Sequence, residues 1–331
     1  MTVTDDVGGS DFQRAVEAIQ ATEMLSLGCH VTPDGDALGS MLGFGHMARN
    51  VGLPTVMSWP EPFATAHRYR SVPGRELAVR PSEFPEHPLC MLTFDCGSLS
   101  RLNELADPAR WAIDNGELIV IDHHATNVRF GTINLVDASA AATAVVVREL
   151  ARQLDWPLTR DAAWCLYVGL AADTGRFQYG STDPSVFALA EELASFELPL
   201  SSISRELFEE HRFAYLKLAA TAIARADLDA QRSFVSTFVT QDDLRSFDVS
   251  YEEVEGLIDW LRTTAEAEVA CVCKEAPDGV RVSLRSLDKV DVGAIAVSLG
   301  GGGHRLAAGF TMKASISEVL DEVRRRLPVV A

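Results

Sequence analysis

ELIVIDHH, residues 117–124, decides how this chain folds. Leu118 to Ile121 are four apolar residues in a row, the pattern of a strand covered on both faces inside a parallel sheet. Asp122, His123 and His124 follow at once, so three polar side chains stand at the edge of the core. The same grammar repeats outward from this strand. LSLGCHV ends its apolar run at His30, LGSMLGFGHMARNVG reads as a helix, and PTVMSW and PLCMLTFD read as strands. Phe12, Val16 and Ile19 predict a helix ahead of them. Strands alternating with helices predict an α/β domain on a parallel sheet.

Beyond Asp137 the pattern turns helical through SAAATAVVVRELARQL, TRDAAWCLYVGLAADTG and DPSVFALAEELASF. A Pro, a Ser cluster and an amphipathic stretch in ELPLSSISRELFEEHR suit a connector. Further on, RADLDA, RSFVSTFV, AEVACVCKE and GVRVSLRS alternate as antiparallel strands do, the last two joined at PDG. The expected organisation is a parallel-sheet domain over 1–195, a connector helix over 196–213 and a smaller α+β domain over 214–331.

Composition narrows the function. The 331 residues are 47% hydrophobic and 23% charged, with 29 Lys plus Arg against 47 Asp plus Glu, a net charge of −18. Such a balance disfavours long nucleic acid and anionic membrane as partners, and leaves an anionic substrate to be met by metal ions or a few placed arginines. The start lacks a basic region followed by an apolar stretch, and no window approaches a membrane span. The six cysteines sit mostly in apolar runs, and Cys271 and Cys273 share one face of a strand, where packing outweighs a zinc half-site. Together these features predict a reducing, cytoplasmic setting. A homodimer is compatible with the sequence, which leaves the oligomeric state open.

Chemistry concentrates in HVTPDGDALGS, His30 to Ser40, where a strand gives way to a helix. Pro33 and Gly35 break the regular backbone so that His30, Asp34 and Asp36 can converge. Taken alone, the segment supports a second reading, with Asp36 capping the helix and Asp34 serving a turn. Asp95 ends LCMLTFD, Asp122 to His124 end ELIVIDHH, and Asp173 ends LYVGLAAD. Unpaired charge at a core's edge is costly, and a shared cation relieves all of these sites together. Carboxylates with imidazoles and no thiolates suit Mn, Mg or Co. Two ions match the count, one held by His30, Asp34 and Asp95, the other by Asp36, Asp95, His123 and Asp173. A pair of ions about 3.5–4 Å apart serves in-line displacement at phosphorus. His124 is left as a general acid or charge stabiliser.

Asp122-His123-His124, in order with HVTPDGDALGS, Asp95 in LTFDCGS and Asp173 in ADTGRF, resembles the DHH phosphoesterase family across the N-terminal domain. The resemblance implies the same ligands, with His123 binding metal and His124 catalytic. A second segment, SLGGGGHRLAAGF, carries Gly300, Gly301, Gly302, Gly303 and His304. Glycines in a row allow backbone to approach a ligand and expose N–H groups to phosphate; a flexible loop is the other reading. With Arg285 in VSLRS, this segment resembles the DHH-associated domain of subfamily 1, which implies that the arginine, the glycines and His304 hold the substrate across a cleft from the metals. Between 270 and 305, five basic residues stand against four acids. Arg176 is a further candidate for a phosphate, with a salt bridge to a nearby acid as its alternative.

Among DHH proteins, the resemblance is to the group that cleaves short oligoribonucleotides (nano-RNases) and 3′-phosphoadenosine 5′-phosphate (pAp), with the cyclic-dinucleotide and pApA phosphodiesterases as the alternative. Both hydrolyse phosphate esters of small nucleotides. A nucleotide sensor without turnover would be expected to lack a ligand or the catalytic histidine, and this chain retains them all.

Overall fold

The computed structural model describes residues 9–329, so the reading made for the first eight residues lies outside the described residues. The chain divides between Glu210 and His211 into two units. In the first, β1 (Leu25–Cys29), β2 (Thr55–Ser58), β3 (Cys90–Phe94), β4 (Glu117–Asp122) and β5 (Ile133–Val136) form a sheet of order β2-β1-β3-β4-β5. All its pairings are parallel. Leu118 to Ile121 are fully buried, as a strand covered on both faces requires. Parallel pairing puts the C-terminal ends of all five strands at one edge. The sheet grows to opposite sides from β1, toward β2 and toward β3, which makes the gap beyond these strand ends a switch point, where open α/β sheets bind ligands. His30 follows β1 and Asp95 follows β3.

Helices α1 (Gly9–Ala21), α2 (Gly35–Asn50), α3 (Ala106–Asn115), α4 (Thr143–Gln153), α5 (Arg160–Asp173), α6 (Pro184–Ala194) and α7 (Leu200–Phe208) complete this unit. α2 and α5 pack antiparallel and very close. A Cβ at Gly39 would lie 2.3 Å from the carbonyl oxygen of Cys165, so only glycine allows the approach. The seam sets Asp36, in the first turn of α2, beside Asp173, the last residue of α5. In the segment expected as a connector, α7 instead buries Ile203 and Leu207 in the first unit's core.

The second unit has a six-stranded sheet of order β10-β11-β9-β8-β7-β6. Its strands are β6 (Asp227–Asp229), β7 (Phe234–Val239), β8 (Val269–Ala276), β9 (Gly279–Ser286), β10 (Gly302–His304) and β11 (Ala307–Met312). The expectation of antiparallel strands fails at one pair, since β7 and β8 run parallel. The cause lies between them: α9 (Gln241–Phe247) and α10 (Leu257–Leu261) form a crossover long enough to return the chain in the same direction. β8 and β9 form the expected hairpin at PDG, Ala276 pairing with Gly279. α8 (Phe213–Ala224) and α10 cover one face; α11 (Val292–Ser298) and α12 (Ile316–Arg326) cover the other. All six cysteines are buried free thiols, and no helix among the described residues is long and apolar enough to cross a membrane.

Candidate metal centre

Two imidazoles are aimed in the same way. His30 Nδ1 is 2.8 Å from the carbonyl oxygen of Val31 and His123 Nδ1 is 3.1 Å from that of Ala140. A carbonyl only accepts, so each Nδ1 carries a proton and Nε2 is the atom left to bind a metal once its own proton is lost, the orientation that metal-binding histidines share. His30 Nε2 lies 3.6 Å from Asp95 Oδ2 and 3.9 Å from Asp34 Oδ2. His123 Nε2 lies 3.6 Å from Asp95 Oδ1, 3.8 Å from Asp36 Oδ2 and 3.0 Å from Asp173 Oδ2. Ligand-competent atoms thus gather as His30, Asp34, Asp95 and as Asp36, Asp95, His123, with Asp95 common to both.

His124 is held differently. Its Nδ1 is 2.7 Å from Asp122 Oδ1, which also accepts from the backbone N–H groups of His123 and His124. Asn127 donates to the other Asp122 oxygen and to the carbonyl of Cys96. A buried carboxylate therefore fixes the ring, leaving Nε2 as its working atom.

The two readings of HVTPDGDALGS are reconciled with their parts exchanged. Asp34 is the cap of α2, its Oδ1 accepting from the N–H groups of Asp36 and Ala37 while Oδ2 faces His30. Asp36, wholly buried, does not cap its own helix. Its Oδ1 accepts from Ser40 Oγ and Ala144 N, each at 3.0 Å, and its Oδ2 from Thr143 N at 2.5 Å. Gly169 makes the room, since a Cβ there would lie 2.7 Å from Asp36 Oδ1. Asp95, just past β3, has φ +54°, a left-handed conformation that is costly for a residue other than glycine and serves to re-aim its side chain away from the strand's line.

Charge in this cluster is frustrated. Burial above all, then neighbouring carboxylates including Asp95, push Asp36 and Asp173 above the ordinary range. Burial also pushes Asp95 up, yet His124, His30 and His123 hold it well below that range. Burial opposes charge on the histidines, but Asp173 and Asp95 raise His123, and Asp95 and Asp122 raise His124 to about 9. Buried carboxylates that repel one another beside imidazoles able to give up a proton are a donor set that fits hard or borderline divalent cations.

Asp122 stood in the triad without a role, while Asn127 and Thr143 gave no motif to read. A faint signal existed for Thr143: Ala141-Ala142 precedes its helix, and alanine cannot cap. Arg176 is engaged elsewhere, donating to the carbonyl of Phe208 at 2.8 Å, stacking on the Phe208 ring and lying 3.4 Å from Glu209. The alternative reading of that arginine, a salt bridge, describes its position.

In the second unit, sheet register sets Arg285, Ala307 and His304 in one row across β9, β11 and β10. Arg285 donates from Nη1 to the carbonyl of Leu284, and its buried Nε has no hydrogen-bond partner among the described residues. Neither reading of the glycines covers all four. A Cβ at Gly301 would lie 2.1 Å from the Gly309 carbonyl oxygen, and one at Gly303 would lie 2.5 Å from that of Ala307, so these two serve the close pairing of an edge strand. A Cβ at Gly302 would meet open space. The local excess of basic residues is largely consumed: Lys274 pairs with Glu255, Arg281 with Asp278 and Arg305 with Asp288.

Residues 26–170 match the DHH family N-terminal domain and residues 231–327 the DHHA1 domain. A bifunctional oligoribonuclease and PAP phosphatase NrnA of Thermus thermophilus is 30% identical over 318 residues, covering 94% of this chain and 93% of that protein. The chain belongs to the DHH phosphoesterase family. The NrnA protein of Bacillus subtilis is 26% identical over 300 residues, 89% of this chain and 91% of its own. An exopolyphosphatase-related protein from Bacteroides fragilis has the same fold, with a TM-score of 0.88 at 21% identity, covering 97% of this chain and 96% of its own. This DHH phosphoesterase is thus a hydrolase acting on phosphate esters, of a metal-dependent family, and carries carboxylate and imidazole groups able to hold metal.

Proposed function

We propose that this chain hydrolyses short oligoribonucleotides and pAp through two divalent metal ions. The observation that carries the reading is the sharing of Asp95 between the two ligand groups. His30, Asp34 and Asp95 would hold one ion, and Asp36, Asp95, His123 and Asp173 the other. When bound, such a pair, with Mn favoured and Mg or Co as substitutes, activates water and stabilises charge in displacement at phosphorus. His124 carries a proton on Nε2 for the leaving oxygen while Asp122 holds its Nδ1, which is 2.7 Å away. Arg285, the N–H groups around Gly302, and His304 bind substrate phosphate; the unsatisfied Nε of Arg285 supports its part. Arg176, tied to Phe208 and Glu209, is better supported as a structural residue than as a phosphate ligand.

Substrate size follows from charge. With −18 overall and few uncommitted cations, phosphates beyond the site meet repulsion, so substrates of about two to five nucleotides, and pAp, are preferred to long strands. The names of the full-length relatives support the same substrate class. Six buried thiols support a reducing, cytoplasmic setting. The test is a panel of pAp, dinucleotide, pApA, cyclic di-AMP and a long RNA under Mn, with kcat/KM measured for each. Preference for dinucleotide and pAp is expected; preference for cyclic di-AMP or pApA selects the phosphodiesterase alternative, and equal cleavage of the long RNA overturns the size argument. In the same panel Arg285→Ala is expected to raise KM more than it lowers kcat, as loss of an anchoring contact does.

A further inference from the structure

α4 begins without a cap of its own. Ala142 stands at the N-cap position and its side chain accepts nothing, so the first N–H groups of the helix need an acceptor from elsewhere. Asp36 supplies it, taking the N–H of Thr143 on Oδ2 and that of Ala144 on Oδ1. Thr143 does more, because its Oγ1 donates to Asp95 Oδ1 at 2.8 Å. One wholly buried residue thus grips a carboxylate from each ligand group, Asp36 by its backbone and Asp95 by its side chain.

The grip on Asp95 has a geometric consequence. A carboxylate rotates readily about its terminal torsion, and both oxygens of Asp95 have imidazoles near them. With Thr143 on Oδ1, that oxygen faces His123 and His124, at 3.6 and 3.5 Å, and Oδ2 faces His30 at 3.6 Å. The orientation delivers one oxygen to each ligand group.

We propose that Thr143 is a positioning residue of the metal centre, its hydroxyl setting the rotation of Asp95 on which the sharing of that carboxylate depends. The inference rests on the two-metal reading above. Without the hydroxyl, Asp95 Oδ1 loses its donor and the carboxylate can turn. The fold need not suffer, because the backbone N–H groups still hold Asp36.

Thr143→Ser and Thr143→Ala separate the hydroxyl from packing, since both lose the methyl and only serine keeps the donor. Mn titration by calorimetry, with electron paramagnetic resonance of the loaded protein, reads affinity and the coupling between two ions. Thr143→Ser is expected to resemble wild type, whereas Thr143→Ala is expected to bind Mn about 10–100-fold more weakly, as loss of an outer-shell partner does. Its coupled signal should weaken. Thr143→Val repeats the test with the volume retained, in case the alanine variant does not fold. Serine and alanine variants with equal affinity and equal spectra overturn the inference while leaving the two-metal reading intact; a wild type that takes up fewer than two ions overturns both.

Discussion

The two units treat charge in opposite ways. The first buries it: Asp36, Asp95, Asp122 and His123 are almost inaccessible, and hydrogen bonds from backbone or neighbouring side chains tie each of them. The second leaves its candidate groups half-exposed on one sheet face, with most nearby cations already paired to acids. Burial makes the first cluster unstable in charge unless a cation joins it, whereas on the half-exposed face water can satisfy most polar groups while no ligand is bound, the buried Nε of Arg285 excepted. On the function proposed above, the first cluster would hold its ligand permanently and the second would hold and release.

From that contrast, damage to the first cluster is expected to be far larger. Asp95→Ala is expected to leave the fold intact and to lower kcat/KM by more than about a thousandfold, beyond the loss of a single oxyanion donor. Metal analysis after gel filtration checks it, since two retained ions would end the sharing role of Asp95. Next comes His124→Ala, expected to cost about 10²–10⁴ in kcat, the range of general acid–base catalysis, while metal content stays that of wild type. Metal loss equal to that of His123→Ala would show that the two histidines are not divided in their work.

A smaller effect concerns stability without metal. Asp36, Asp173 and His123 have folded values above their ordinary ones, so the stability they contribute is present at low pH and lost as pH rises through the raised values. Asp95, shifted the other way, contributes above the ordinary carboxylate range of about 4 and adds no further slope beyond it. His124 adds to this trend, so the chelated protein should melt at progressively lower temperature as pH rises from about 6.5, the ordinary histidine value, through about 9, where His124 loses its proton. Adding Mn at about 100 times Kd should restore about 2.7 kcal/mol per site. A flat melting profile in chelator would remove the frustration argument.

The smallest effects sharpen the open face. Gly301→Ala should destabilise the second unit, because its Cβ would lie 2.1 Å from the Gly309 carbonyl oxygen, while Gly302→Ala should leave melting unchanged. A raised KM in the Gly302 variant alone would assign ligand approach to that glycine; equal melting losses would mean that both only pack.

How much of this was legible depended on whether chain order carried it. The run at Leu118 to Ile121 announced a parallel sheet because burial on both faces leaves no room for polar alternation. The acids and imidazoles were legible as candidate ligands because each follows an apolar run, and the structure brings their ligand atoms together. What stayed hidden were relations between distant residues: Thr143 and Asp95 are 48 positions apart, and nothing in AAATAVV marks a hydroxyl that reaches a carboxylate. The alternative reading, with the cap on Asp36, differs from the structure because both residues satisfy the local rule, while Asp34 caps α2 and Asp36 turns to α4. The β7–β8 direction escaped because alternation reports burial, not orientation, and Arg176 because its partners, Phe208 at the end of α7 and Glu209 just beyond it, lie 32 and 33 positions on.

Parallel strands also give the first unit a working end and an idle one. His30, Asp95, Asp122, His123 and His124 lie at or just beyond the strands' C-terminal ends, while Leu25, Cys90 and Glu117 begin their strands at the other end with none of these groups beside them. Improvement and innovation can therefore proceed on separate ground. Residues at the idle end can be exchanged for stability without disturbing His30, His123 or His124, while every change in the loops at the working end bears on them directly.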